Sequence, residues 1–452
     1  MGNTTAPADH HRIITRRSFA GVLGALGAAG VMRNRRAARA SDRTTVTVWT
    51  WQDGVAVKAL EDAASSFDAA QNDVHVEVVR RPAVYSTFQL LNTIRDGIGP
   101  DLAIGDRGLL AERDANGICD DLAPYLANAN PAIDLDRDFL PFAAQEVRLG
   151  DRVLGIPLET SVRVLAVNRL ALASAGVGLA EWSPDRGPVT FDRLAEVAQG
   201  LDRKNADGFY EQLGFLPGFG EGSVYRYLHA WGAGYFDEAQ CAFTVDNPEA
   251  VSAATWVRAY GQHFEGSQLD EFLMRNGGVD VPAGTAFLRG ELAFALVRGE
   301  DLAAIAQLKP GFELGATFIQ IPATGAPSRS WATGNAISLM TGAKHPEEAA
   351  RFATYLASAD VLDRYGLAIG SLPSRKQPSP EVLKGLALPS FIPDNVLPGA
   401  VGTPHVPIAS QFGDLLVQAW SDTTSGAVDI ASGFADLQAQ ANQDLADAGL
   451  CA

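Results

Sequence analysis

A strand–helix–strand pattern near residue 44 constrains the fold more than any other feature of this chain. Residues 44–50 alternate and are rich in β-branched side chains, as a strand is. Apolar residues between Leu60 and Phe67 then recur at helical spacing, and valines alternate with polar residues over 74–78. Short links between such elements predict a βαβ unit. We therefore expect an α/β protein whose opening sheet is largely parallel.

The carboxyl ends of parallel strands are where such sheets bind ligands. The loop after the first strand holds Trp51 and Asp53, and a short buried strand after Gly99 ends at Asp106 and Arg107. These side chains are therefore candidate ligand contacts. Each also has a structural interpretation, namely surface packing for Trp51, a turn for Asp53 and a surface ion pair for Asp106 with Arg107.

Residues 1–40 have the composition of an export signal. They combine the paired Arg16 and Arg17, a short apolar run over 20–32 and a small-residue ending over 38–40, which is typical of a twin-arginine signal peptide. The apolar run is too short to span a bilayer, which takes roughly 20 residues. The chain is therefore expected to be exported to the periplasm or the exterior and to be soluble after cleavage.

The charge of the chain excludes some classes of partner, and its cysteine content bears on disulfide formation. Without residues 1–40 the chain keeps 29 basic and 52 acidic residues, which argues against nucleic acid or an anionic membrane as a partner. Three cysteines, at 119, 241 and 451, make no disulfide framework and are interpreted as buried or unreactive thiols. The remaining 412 residues are enough for two or three domains.

Further elements can be placed along the chain. The apolar run over 162–167 and the stretch over 290–297 predict strands, and Asn247-Pro248 and His345-Pro346 mark helix starts. The proline-rich segment 370–408 is expected to be extended, and helical spacing returns from about 412 to 445. No metalloprotease, serine-hydrolase, CxxC or phosphate-loop motif is present. We therefore expect no enzyme activity, no metal and no cofactor.

The ordered set of motifs resembles the family 1 extracellular solute-binding proteins of ABC transporters, the maltose-binding-protein-like sugar receptors. No single motif is specific, but the resemblance runs from about residue 44 to the C-terminus. The motifs are Trp49–Asp53, Gly99–Asp101, Ile156-Pro157 leading to Asn168, Trp231–Gly234, Gly290-Glu291, Trp331–Asn335, Pro346–Phe352 and Leu372–Arg375.

The resemblance implies a two-lobed periplasmic-binding-protein fold of type II, the Venus-flytrap form, with three crossings between lobes. Lobe one would comprise residues 44–159 and 333–370, and lobe two residues 162–332 and 373–452. The ligand would lie between the lobes and be buried by hinge closure.

The resemblance also adds candidate ligand contacts, each with a structural alternative. Asp106 and Arg107 resemble a sugar-contacting pair, although the spacing needs a gap. Ser161 stands where the family has an acid, so that Glu159 is a candidate substitute, and Glu300 stands where the family has a tryptophan platform. The remaining candidates, equally open to core packing or hinge roles, are Tyr225, Trp231, Trp331 and Asn335.

The function implied is that of a monomeric receptor that delivers a small sugar or oligosaccharide to the permease of an ABC importer. Two stacking positions are lost, one to Glu300 and one to Gly413, which favours a smaller or more polar ligand. The alternative is a receptor for a charged solute, such as a polyamine or a glycerol phosphodiester, on the same fold.

Overall fold

The computed structural model describes residues 43–52, 54–82, 87–130, 132–218, 223–276, 283–308 and 313–450. Residues 44–452 form one compact unit. The predicted signal peptide, residues 1–40, lies outside the described residues. None of the helices in the described ranges is both long and apolar enough to cross a bilayer.

Strands and helices alternate along the described chain. The strands are β1 (Thr44–Thr50), β2 (Val74–Arg80), β3 (Leu102–Asp106), β4 (Arg148–Leu149), β5 (Arg152–Val153), β6 (Ile156–Pro157), β7 (Glu159–Asn168), β8 (Arg203–Lys204), β9 (Tyr210–Gln212), β10 (Phe236–Asp237), β11 (Ala242–Phe243), β12 (Phe294–Arg298), β13 (Leu314–Thr317), β14 (Ala332–Thr333), β15 (Asn335–Leu339) and β16 (Leu372–Pro373). The helices are α1 (Gly54–Ala70), α2 (Thr87–Arg95), α3 (Leu110–Ala115), α4 (Ala123–Leu126), α5 (Leu135–Asp138), α6 (Pro141–Glu146), α7 (Arg169–Ser174), α8 (Phe191–Gln199), α9 (Ser223–Trp231), α10 (Pro248–Gly261), α11 (Gly266–Arg275), α12 (Ala283–Leu288), α13 (Asp301–Leu308), α14 (Pro346–Leu356), α15 (Ala359–Ile369), α16 (Pro380–Leu386), α17 (Ala409–Ser425) and α18 (Ile430–Asp447).

The first sheet contains the predicted βαβ unit, which is confirmed. Its strand order is β2-β1-β3-β15-β6, with β1 parallel to both β2 and β3. The inward residues of β1, Val46 and Val48, are fully buried, and α1 packs Leu60 and Phe67 into the same core. β15 runs antiparallel to β3 and pairs Asn335 with Asp106 at the edge where β3 ends.

The second sheet is built around β7, a ten-residue strand that is buried along its whole length. β7 pairs antiparallel with β12 and β13 at its carboxyl end and with β14 and β16 at its amino end. Its apolar side chains enter two further core clusters, which helices of the chain's second half complete. One strand therefore runs from the border of the first sheet through the centre of the second.

The proline-rich segment 370–408 differs from its prediction. It is not extended throughout, because it contains α16 and further helical turns over 392–399. The Ser379 hydroxyl accepts a hydrogen bond from the Val382 amide, and Pro380 occupies the first turn of α16. A proline at that position loses no hydrogen bond, since the first amides of a helix have no partner within the helix.

The prediction of buried or unreactive thiols is confirmed for Cys119 and wrong for Cys241. Cys119 is a free, buried thiol, and burial raises its pKa to about 12. Cys241 is disulfide-bonded, and the one other cysteine in the sequence, Cys451, lies outside the described residues. The fold brings distant segments together here, because the side-chain amide of Asn442 in α18 bonds both backbone groups of Phe243, two residues after Cys241.

Candidate ligand-binding cleft

The carboxyl edge of the first sheet gathers three of the predicted residues. Trp51 and Asn335 are half-buried there, and Asp106 is exposed. The neighbouring Trp49 is 4% exposed and packs under the Arg81 guanidinium, 3.7 Å from its ring. This agrees with the alternation of a strand, which turns only one of the two indoles toward the edge. The predicted contact Asp53 lies outside the described residues.

Arg107, predicted as a ligand contact, is instead an internal anchor. Its side chain is 0% exposed, and Nε donates to Oε2 of Glu146 at 2.7 Å. Nη1 donates to the Glu159 carbonyl oxygen at 2.6 Å and to Ser374 Oγ at 3.2 Å, while the backbone amide donates to the Gly334 carbonyl. A 3₁₀ turn over Arg107–Leu109 directs this side chain inward, whereas Asp106 stays outside as its cap. The two adjacent residues therefore have different roles: Arg107 is a buried anchor, and only Asp106 remains available to a ligand.

Glu159 and Asn335 bind each other. Oε1 of Glu159 accepts hydrogen bonds from the backbone amide of Asn335, at 3.1 Å, and from its side-chain amide. Oε2 is buried and has no hydrogen-bond partner within the described part of the chain. Burial raises the pKa of the Glu159 carboxyl. The pair thus ties β7 to β15 and leaves one carboxylate oxygen unsatisfied.

This raised pKa predicts a pH-dependent effect of the Glu159→Gln substitution. A carboxyl whose pKa is higher in the folded chain contributes stability below its ordinary pKa of 4.5, and this contribution is lost as the pH rises through the folded value. Glutamine keeps the acceptor for Asn335 without the charge. E159Q should therefore raise the urea midpoint at pH 8 and lose that advantage towards pH 4.5. The exposed Glu61→Gln is the control, and an equal effect of E159Q at both pH values would contradict this account.

Two of the predicted residues are in contact, namely Ser161 on β7 and Glu300, which follows β12. The Ser161 hydroxyl donates to Oε2 of Glu300 at 3.0 Å. Burial raises the pKa of Glu300. Alternate residues of a strand share a face, so Glu159, Ser161 and the bound Glu300 carboxylate lie on the same side of β7.

An aromatic stack faces this edge from the second half of the chain. The rings of Tyr225 and Trp331 are stacked with centroids 5.2 Å apart, and the Arg163 guanidinium lies 4.5 Å from the Trp331 ring. Burial raises the pKa of Tyr225 to about 12, and the carboxylates of Asp106 and Asp414 add to this shift. Trp331 Nε1 donates to Thr403 Oγ1 at 3.5 Å, and a Cβ atom at Gly108 would lie 3.4 Å from both that oxygen and Oδ1 of Asp106. The aromatic stack and the exposed carboxylate therefore lie near each other.

Trp231, the other predicted platform, is half-buried and packs against the core. Its ring packs 4.2 Å from Phe191 and 6.0 Å from Trp256, between centroids. Tyr225 and Trp231 lie six residues apart on α9, which places them about 120° apart around the helix. They therefore point in different directions, and the structure gives Trp231 the packing role.

Three residue pairs join the first half of the chain to residues 403–410, around the start of α17. Oε1 of Glu146 accepts from the Thr403 amide at 2.7 Å, and the His405 ring lies 2.9 Å from the Gln145 carbonyl. Glu112 of α3 accepts from the backbone amide of Ser410 at 2.6 Å and from its hydroxyl at 3.0 Å. An acid is favourable at this position, because the first amides of a helix are unsatisfied and carry partial positive charge.

A cavity of about 310 Å³ lies beside these contacts. Its lining includes Glu146, His229, Tyr235, Arg329 and Thr403. Burial and the nearby Arg163 lower the pKa of His229 to about 4, so its imidazole is neutral at pH 7. The cavity is therefore walled by both halves of the chain and contains a neutral histidine.

The family is decided by comparison with known proteins. The family of bacterial extracellular solute-binding proteins matches residues 49–362, more than two thirds of the sequence. The chain belongs to this family. The resemblance inferred from the motifs is confirmed. No curated protein sequence matches the chain.

Similar solved structures are those of two-lobed binding proteins, as the motifs predicted. An ABC substrate-binding protein from Listeria monocytogenes in complex with cycloalternan is 18% identical, with a TM-score of 0.71 over 90% of this chain and 100% of that chain. CpMnBP1 with mannotriose bound is 19% identical, with a TM-score of 0.71 over 88% and 100%. The sugar-binding protein MalE from Xanthomonas citri is 18% identical, with a TM-score of 0.71 over 89% and 98%. These likenesses establish the two-lobed α/β fold.

Several residues of this solute-binding protein's cleft were not predicted. Arg163 lies two residues after Ser161 on β7, so strand alternation provided a signal for it. The sequence gave no signal for the Glu146–Thr403 and Glu112–Ser410 pairs, because the two residues of each pair are more than 250 positions apart in the chain. Within the described ranges, no group of three or more His, Cys, Asp or Glu side chains is arranged to hold a metal ion.

Proposed function

We propose that this protein is the substrate-binding receptor of an ABC importer and that it captures a small sugar or oligosaccharide between its lobes. The observation that carries the proposal is the Tyr225–Trp331 stack, which lies close to the exposed carboxylate of Asp106. A sugar offers apolar ring faces and a rim of hydroxyls, and it needs both an aromatic surface and paired polar acceptors. Trp51, Asp106, Tyr225 and Trp331 supply them.

The proposed lobes are residues 44–159 with 333–370, and residues 162–332 with 373–452. Under this division Arg107 bonds to Glu159, Gly334 and Ser374, one residue at or next to each proposed crossing. Such an anchor supports a defined hinge. Closure then requires a ligand that binds the closed form better, and a shift from 1:99 to 99:1 takes about a 10⁴-fold preference.

The proposed context is an exported monomer that hands its ligand to a membrane permease. The twin-arginine pattern of residues 1–40 supports export, and the disulfide at Cys241 fits an oxidising compartment. Binding without chemistry is part of the proposal, supported by membership in a family of binding proteins. The sugar-bound neighbours favour a carbohydrate over a polyamine or a glycerol phosphodiester.

A ligand screen with two variants tests this function. Thermal shift of the purified protein is measured against mono-, di- and oligosaccharides, with polyamines and glycerophosphodiesters as the competing class. A ligand at 100 times its Kd adds about 2.7 kcal/mol to stability. For the sugar that binds, Trp331→Ala and Asp106→Ala should each weaken affinity about 10–100-fold in calorimetric titration, since each removes a central contact.

Trp231→Phe is the matched control, because it alters a tryptophan of the same sequence half that packs against the core. It should leave sugar affinity within about twofold, which is 0.4 kcal/mol. Stabilisation by polyamines or phosphodiesters alone, with no response to any sugar, would refute the carbohydrate assignment.

A further inference from the structure

Arg113 is a buried cation without a counter-ion in the described part of the chain. It is 5% exposed, and its Nε and Nη1 atoms are buried and donate no hydrogen bond to any described residue. The acids beside it in sequence are engaged elsewhere, Glu112 with Ser410 and Asp114 with Arg152 at 2.6 Å. A buried charge of this kind is costly unless it is paired.

Arginine cannot relieve this cost by changing its protonation. A buried carboxyl such as Glu159 can take up a proton, and its raised pKa shows the tendency. A guanidinium, by contrast, stays charged in proteins at any physiological pH. The unsatisfied donors of Arg113 are therefore suited to an acceptor supplied by a bound ligand.

The position of Arg113 places it at the proposed ligand cleft. Its guanidinium lies 5.4 Å from the ring of Trp51, on the loop after β1. It also lies against Gly105, where a Cβ atom would come within 2.8 Å of Nη2, so that any larger residue there would displace the guanidinium. Gly105 directly precedes Asp106, so the guanidinium sits at the same sheet edge as the exposed carboxylate and the indole.

We infer that the sugar bound by this protein carries an anionic group and that Arg113 recognises it. This inference rests on the proposed function and narrows its substrate class. A planar guanidinium holds a carboxylate or a phosphate through paired, charge-assisted hydrogen bonds. A uronic acid or a sugar phosphate supplies such a group on a ring that Trp51 can contact.

Matched pairs of sugars test the inference by calorimetric titration of the full protein. Glucuronate is compared with glucose and galacturonate with galactose, and the di- and trisaccharides of each uronate with their neutral counterparts. Glucose 6-phosphate tests whether the anionic group is a phosphate instead of a carboxylate. We expect the anionic member of a pair to bind at least about 10-fold more tightly, as charge-assisted hydrogen bonds allow. Arg113→Gln should abolish this preference, and the surface substitution Arg148→Gln should leave it unchanged.

Fold integrity is measured alongside binding. Because R113Q removes an uncompensated buried charge, ligand-free R113Q should unfold at the same temperature as the wild type or higher. Arg113→Lys is the second variant, since it keeps the charge and loses the planar fork, and it should retain only part of the preference.

The possible results distinguish a failure of the anionic-sugar inference from a failure of the proposed sugar-receptor function. Preference for uronates or for the sugar phosphate, lost in R113Q, supports it and identifies which anion is the source. Equal affinity for anionic and neutral sugars, unchanged in R113Q, overturns it and leaves the sugar receptor standing. Failure of every sugar, anionic or neutral, overturns the proposed function and this inference with it.

Discussion

Replacing Arg107 with methionine is expected to lower the free energy of unfolding by about 3–5 kcal/mol, the usual cost of removing one partner from a buried ion pair. The Glu146 carboxylate, 3% exposed, would then remain buried without its cation. The hydrogen bonds from the guanidinium to Glu159 and Ser374 would be lost at the same time. Urea denaturation followed by circular dichroism measures the change.

The double variant R107M/E146L should recover part of this loss, because it removes both charges of the pair. Arg351→Met is the matched control, since Arg351 pairs with Asp73 at the surface and both side chains are about half exposed or more. That substitution should change stability by less than about 1 kcal/mol. An R107M variant as stable as R351M would show that Arg107 does not anchor the crossings.

Replacing Gly334 with alanine is expected to cost at least about 3 kcal/mol, the upper end for overpacking a buried site. A Cβ atom there would lie 2.0 Å from the Glu159 carbonyl oxygen and 2.4 Å from Nη1 of Arg107. A backbone carbonyl cannot rotate away as a flexible side chain can, so the proposed crossing itself would have to move. Urea denaturation measures the stability, and calorimetric titration with the sugar identified above measures the affinity.

Gly178→Ala is the control for Gly334→Ala. A Cβ atom at Gly178 meets nothing within 4 Å, and its φ of −65° suits any residue. Alanine there should leave stability within about 1 kcal/mol and can even raise it by reducing the entropy of the unfolded chain. A G334A variant that behaves like G178A would mean that the close approach of the crossings is not required for folding.

Much of the site was predictable in position but not in role. The ends of β1 and β3 were placed correctly, so Trp51 and Asp106 were found at one edge of the sheet, as a parallel pair of strands requires. Arg107 follows Asp106 directly, but it turns inward in a 3₁₀ turn, where its guanidinium donates to Glu146 and to the Glu159 carbonyl. Sequence spacing carries no information about such distant partners.

The sequence by itself determined the βαβ opening, the buried strand β7 and the start of α10 at Asn247, because alternation, helical periodicity and capping are set by neighbours within a few residues. Only the tertiary structure decided that Trp231 packs against the core, that Glu112 binds Ser410 and that Arg113 has no counter-ion among the described residues. Those outcomes depend on which surfaces meet when the chain folds. A side chain's local pattern fixes the face it occupies, but its partner is set by contacts between residues that are far apart in sequence.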